Sequence, residues 1–276
     1  RAIRAPPALK HATLLRLCAP PRLDAADRSL VLELERADGG TLAEHLAAAA
    51  PPLPPGALRR LLCHVARGLH AMHSAWYVHR DLSPSNILVA ANLSWAKVAD
   101  FGTTRSFAAP LTRLSADCPV CKLHYRAPEE LLGSPAEGPP ADVWSFGAIL
   151  CEAVLRRPVF GGRELKGAAF QAEQLRVIYA VLGTPTESEW PGMTSLPLWP
   201  DVLRAAFAVY ADQLAPKLAE GSADGRDPLL LEVARAALLF DPERRCTMEE
   251  VLASRFFRPC VEPDHEGQLG EGGPVN

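Results

Sequence analysis

Residues 56–102 constrain the fold of this chain more than any other stretch, because three kinds of local pattern follow one another there. From Gly56 onward Leu58, Leu61, Leu62, Val65, Leu69 and Met72 recur at three- and four-residue steps, which predicts a helix with one apolar face. The proline and glycine at 54–56 mark its start. A polar segment, His79-Arg-Asp-Leu-Ser-Pro-Ser-Asn86, comes next. Two short apolar runs, 86–90 and 96–99, follow it and predict a small hairpin beside the polar loop. Asp100-Phe101-Gly102 stands at the exit of the second run, and Ala127-Pro128-Glu129 lies further on. Singly these motifs say little, since Asp-Leu-Ser-Pro makes a plain turn and Asp-Phe-Gly a plain strand exit. Their order and spacing leave little room for coincidence.

Elsewhere the signals are coarser. Apolar runs at 14–17 and 29–34 are short, and the second alternates like a strand. Past Pro140 helices are expected over about 141–155, 169–182, 227–239 and 247–254, the last opened by Thr247 and Glu250 at capping-box spacing. Few strands followed by many helices is an α+β pattern with a dominant helical part. The 276 residues suffice for one large domain or two small ones. A net charge of -3 supplies neither a nucleic-acid footprint nor a basic membrane patch, and no apolar run approaches the roughly 20 residues that span a bilayer. The basic N-terminus lacks the apolar stretch of a signal peptide.

Seven scattered cysteines, an odd number, fit free thiols in a reducing compartment, so the expected location is cytoplasm and/or nucleus. Cys118 and Cys121 form a C-x-x-C, but a zinc site needs two further ligands at suitable spacing. Two unlinked loop thiols is the plainer reading. PPLPP at 51–55 reads as compositional bias, and the polar, Gly-rich 258–276 as a disordered tail.

The motif set resembles that of the protein kinases from about Leu9 to Phe257, with H-R-D-L-x-x-x-N at 79–86, D-F-G at 100–102 and A-P-E at 127–129. HYRAPEELLG (124–133), VLGTPTESEWPG (181–192) and ALLFDPERR (237–245) are similar to the cyclin-dependent kinases. The resemblance implies a protein-kinase-like fold, mostly the helical C-lobe at 36–257, preceded at 1–35 by only the last N-lobe strands and the hinge. It implies an ATP-dependent protein serine/threonine kinase using Mg²⁺. Its substrates would be proteins with Ser/Thr-Pro sites, and its partner a cyclin or other activating subunit.

Carried over residue by residue, Asp81 would accept or orient the proton of the acceptor hydroxyl, and Asn86 and Asp100 would hold Mg²⁺ through oxygen ligands. Leu32 would be the gatekeeper, with Glu33, Leu34 and Glu35 the hinge whose backbone bonds adenine. Asp38 would reach the ribose, and Leu88 would floor the pocket. Arg80 would tie the catalytic loop to the activation segment, and Arg126 would shape a pocket for proline. Glu129 would meet Arg245 in a buried ion pair. Asp142 would anchor the catalytic-loop backbone; the alternative is an acidic first-turn residue favoured by the helix dipole. Asp117 falls where cyclin-dependent kinases carry the activating phosphothreonine, with Arg80 and Arg105 as its cationic partners, and Ser115 is an alternative phosphosite.

Three departures from the family pattern matter. No G-x-G-x-x-G occurs and Lys10 does not stand in the place of the strand lysine, so the roof of the nucleotide site is expected outside this chain. Ser83 stands where such kinases carry a lysine on the transferred phosphate, and Lys122 where they carry a threonine. Both positions face the same aspartate in the family. Lys122 is therefore expected to bring its ammonium to an Asp81 oxygen and replace the missing cation, the alternative being a drifting, inactive sequence. An active enzyme and a pseudokinase or C-lobe interaction scaffold both stand as readings. Retention of Asp81, Asn86 and Asp100 favours the enzyme, because a scaffold has no chemical need for all three.

Overall fold

The computed structural model describes residues 10–24, 29–47, 49–54, 56–112 and 121–260. Ser115, Asp117 and Cys118, and the stretch beyond Cys260, lie outside them. The chain opens with short strands. β1 (Arg22–Leu23) pairs antiparallel with β2 (Leu30–Val31). Only this part of the alternating run at 29–34 joins β1; Leu34 bridges Leu17 instead, and Leu14 bridges Val98. Helix α1 (Leu42–Leu46) is opened by a capping box, with Thr41 Oγ1 accepting the Glu44 N–H and the Glu44 carboxylate accepting the Thr41 N–H at 2.7 Å.

The long amphipathic helix is α2 (Ala57–Ser74), and Leu58, Leu61, Leu62, Val65, Leu69 and Met72 are all buried. After it come β3 (Tyr77–Val78) and the hairpin of β4 (Ile87–Val89) with β5 (Ala96–Val98), in which Ile87 faces Val98. Strand β6 (Arg105–Ser106) returns to pair antiparallel with β3. The polar segment 79–86 is thus held between two small ladders.

The rest is helical. α3 (Pro128–Leu131) is a single turn, and α4 (Pro139–Leu155) is the central helix. Its residues are buried from Asp142 to Leu155, which is what a helix apolar on all sides requires. Around it lie α5 (Ala172–Leu182), α6 (Trp199–Ala205), α7 (Leu214–Ala219), α8 (Pro228–Ala237) and α9 (Met248–Ala253). Helix α4 packs against α2, α7 and α8. Gly147 permits a close approach to α8 and its end, since a Cβ there would sit 2.9 Å from side-chain atoms of Ala237 and Leu238. Helix α5 starts at Ala172 rather than 169 for a local reason. The Gln171 amide donates to Leu165 O and Ala168 O and accepts the Leu165 N–H, which commits 165–171 to a loop. Among the described residues no helix is long and apolar enough to cross a membrane.

Candidate active site

The polar loop between β3 and β4 hangs from one carboxylate. Asp142, in the first turn of α4, accepts the His79 N–H (2.8 Å) and the Arg80 N–H (3.0 Å), and His73 Nε2 lies 2.9 Å from its Oδ2. These bonds hold Arg80 at φ 70°, a left-handed conformation that costs a non-glycine residue about 1 kcal/mol. Burial alone would push the Asp142 carboxyl up, but the hydrogen bond and charge of His73, with His79, outweigh it and hold the group below its ordinary value. His79 is fully buried, and its Nδ1 accepts the Asp81 N–H at 3.3 Å. The ring proton is thereby assigned to Nε2, which donates to Ala99 O at 2.9 Å. The imidazole thus ties the loop to the exit of β5.

The hairpin brings the acidic and amide groups to one end. Asn86 directly precedes β4, and its carbonyl accepts the Ala99 N–H at 2.9 Å, so Asp100 stands beside it. Asn86 Nδ2 donates to Asp81 O (2.7 Å) and Asp81 Oδ2 (3.1 Å). Both donations point the amide nitrogen at Asp81 and turn the amide oxygen away. Asp100 is exposed, adopts φ 61°, and accepts the Gly102 N–H at 3.3 Å. Asp81, Asn86 and Asp100 are therefore neighbours through backbone geometry.

Lys122 differs from expectation in an instructive way. Its ammonium does not lie on Asp81; it donates to Ser83 Oγ at 2.8 Å and to Ser85 Oγ at 2.5 Å. It is the Lys122 backbone N–H that reaches Asp81 Oδ1, at 3.3 Å. With the amide on Asp81, the stem runs past the carboxylate and carries the charge to the hydroxyl at position 83. The segment around it is pinned: Arg126 gives Nε and an Nη to Cys121 O (3.2 and 2.7 Å), and Ser145 Oγ donates to Tyr125 O (2.8 Å). Arg105 donates to Thr104 O at 2.8 Å, and its position opposite Val78 in the β3–β6 ladder places it near Arg80 in the chain path. Glu129 and Arg245 meet as a bidentate pair at 2.6 and 2.9 Å, with side chains 5% and 0% exposed.

At the front edge the expected hinge residues lie beside the 16–18 strand. Glu33 O accepts the Cys18 N–H (2.7 Å) and the Glu35 N–H goes to Arg16 O (3.0 Å). N–H and C=O of one residue point the same way in a strand and alternate along it, so Glu33 and Glu35 face 16–18. The Leu34 N–H and C=O face the opposite side. The Glu35 carboxylate is also committed, to Lys97 Nζ and to the Arg16 N–H, each at 2.7 Å. Asp38 Oδ1 accepts the Ala91 N–H at 3.0 Å and so braces the hairpin turn. Leu15, Leu17, Leu32 and Leu34 face Ala99, Asp100 and Phe101 across a cavity of about 290 Å³. Leu88 is not among its walls.

Three residues of the site carried no expectation: His73, Ser85 and Glu137. The last lies 2.8 Å from Arg80 Nη2. His73 and Ser85 sit within or beside the motif and could have been found by asking what its polar atoms bind. Glu137, between α3 and α4, has no local signature.

Comparison with known proteins bears on the family and the fold. A model of the protein kinase domain matches residues 8–257. Cyclin-dependent kinase E-1 of Arabidopsis thaliana is 36% identical over 206 residues, covering 73% of this chain and 43% of that protein. Serine/threonine-protein kinase srb10 of Schizosaccharomyces pombe is 35% identical over 212 residues, covering 74% and 56%. The chain spans about half the length of the curated relatives it matches. A crystal structure of the yeast RNA Pol II CTD kinase CTDK-1 complex superposes with a TM-score of 0.79 at 24% identity, over 91% of this chain and 77% of that one, which speaks for the fold. By that fold, by the domain match and by relatives that are cyclin-dependent-kinase-like serine/threonine kinases, the chain belongs to the protein kinase family.

Proposed function

We propose that the protein transfers the terminal phosphoryl group of ATP to serine or threonine hydroxyls of protein substrates, with proline favoured after the acceptor. The family's chemistry uses ATP with a divalent metal, which neutralises phosphate charge when bound. Mg²⁺ fits the donors here. The Asn86 amide oxygen, turned away from Asp81, and the exposed Asp100 carboxylate are hard oxygen ligands. A small set of this kind, completed by phosphate oxygens and water, is the usual protein contribution to a Mg²⁺ site.

Asp81, oriented by Asn86 Nδ2 and by the Lys122 N–H, accepts the proton of the acceptor hydroxyl at its carboxylate. Proline preference is supported by Arg126. Its two bonds occupy Cys121 O, so that carbonyl is poorly placed to accept a substrate N–H. Proline has no N–H to leave unpaired, whereas any other residue does. A cyclin-type activating subunit is the partner that relatives named as cyclin-dependent kinases support.

The observation that carries the reading is the Lys122 ammonium on Ser83. It restores positive charge to the loop position where its absence would be most costly to phosphoryl transfer. In the full-length protein Lys122→Thr should lower kcat at least about tenfold, and adding Ser83→Lys should restore most of it, a non-additivity expected of coupled sites. A harmless Lys122→Thr would remove the cation assignment. Absence of transfer by the unaltered protein, with its activating subunit present, would favour a scaffold.

A further inference from the structure

Arg80 is the basic residue of the catalytic loop, and its side chain is paired within the chain itself. Its Nη2 lies 2.8 Å from Glu137 Oε2, the two side chains being 9% and 17% exposed. So little water reaches the pair that the attraction is weakly screened. Glu137 stands just before α4, whose Asp142 holds the Arg80 backbone, and the Glu137 N–H makes a long 3.4 Å contact to Thr112 O beyond β6. One glutamate therefore touches the catalytic loop through its side chain and the segment after β6 through its backbone.

In many kinases the activation loop is ordered when a phosphorylated residue pairs with such an arginine. We propose that Glu137 is a built-in counter-ion for Arg80, a positioning residue that gives the catalytic loop, without modification, part of what a phosphate supplies elsewhere. The proposal rests on the kinase reading above. The structure also shows why the substitution is partial. Arg80 Nη1 and Glu137 Oε2 are buried without a hydrogen-bond partner, so the 2.8 Å contact is an ion pair whose N–H does not point along it. A carboxylate brings one charge and two oxygens, against nearly two charges and three oxygens for a phosphate. Phosphorylation should accordingly raise activity by a small factor and not act as an on–off switch.

The test compares full-length protein, with its activating subunit, before and after phosphatase treatment, using transfer to a Ser-Pro peptide. Unaltered protein should keep at least about a third of its rate after dephosphorylation. Glu137→Gln should fall at least about tenfold in kcat when dephosphorylated, stay within about threefold when phosphorylated, and be rescued by Glu137→Asp instead of Gln. Loss of the unaltered protein's activity on dephosphorylation would overturn the proposal, and this arm decides even if Glu137→Gln fails to fold. A dephosphorylated Glu137→Gln with unchanged rate would overturn it as well. Equal loss in both phosphorylation states would reduce Glu137 to a structural role. No transfer by unaltered protein in either state is a different result, and it removes the kinase reading first.

Discussion

Two carboxylates a short way apart, Asp142 buried and Glu130 half-buried, are pushed in opposite directions, and the difference lies in what surrounds each. Asp142 is desolvated but meets His73 and two backbone N–H groups, and stays low. Glu130 is pushed up to about 7, first by burial and then by the Glu129 carboxylate beside it, against which the Ala127 N–H and Arg126 charge act more weakly. A carboxyl raised in the folded state binds protons more tightly there than in the unfolded chain. Its ionisation therefore costs stability as pH rises from about 4.5 to about 7. Glu130→Gln should flatten that fall, by roughly 2–3 kcal/mol in the difference between pH 5 and pH 8 urea melts. An unchanged pH slope would show that Glu130 is not the group titrating. At this scale Asp81, Asn86, Asp100 and Asp142 were legible because they stand in a fixed local pattern. Glu137 and the reach of Lys122 to Ser83 were not, since each depends on how distant segments meet.

Among the elements, those with a repeating pattern or a marked boundary were readable, whatever their length. The amphipathic α2 carries enough repeats to declare its period, α4 and the β4–β5 hairpin stand out as apolar runs, and α9 is opened by its Thr247–Glu250 capping box. Helices α6 and α7 span 7 and 6 residues, too few for a period to emerge. For α1 the Thr41–Glu44 box was the available sign. The hairpin is also lined on one side by a strand-like run with no side chain. Gly39 donates to Val89 O, Gly40 O accepts from Val89 N–H, and a Cβ on Gly39 would lie 2.4 Å from the carbonyl carbon of Ala90. That distance is shorter than contact permits and the obstacle is backbone, so Gly39→Ala must push 39–40 off the hairpin. The expected cost is about 2 kcal/mol or more, read as a lowered denaturation midpoint, with loosened amide protection in 87–98. A Gly39→Ala protein as stable as the parent would show that the run can shift freely.

Across the whole molecule, Arg245 joins pieces that are far apart in the chain. Besides its two bonds to Glu129 it donates to Leu239 O, Pro140 O and Phe240 O, and its guanidinium lies over the Trp144 ring at 5.1 Å. The ion pair was legible from the resemblance; the three carbonyls were not, because nothing in DPERR says which backbone atoms will surround it. Arg245→Met removes the cation and leaves Glu129 buried and unpaired, which should cost about 3–5 kcal/mol in urea unfolding. A loss below about 1 kcal/mol would mean that water reaches Glu129. Lys122 makes a different kind of long-range join. A lysine at position 83 would travel with the loop and supply its charge at all times. Placed at 122, the charge is held by the contacts that seat 121–126, Arg126 on Cys121 O and the Lys122 N–H on Asp81. One short stretch thereby does two jobs at once: its backbone fixes a carboxylate and its side chain lends a charge, so neither can be moved without disturbing the other.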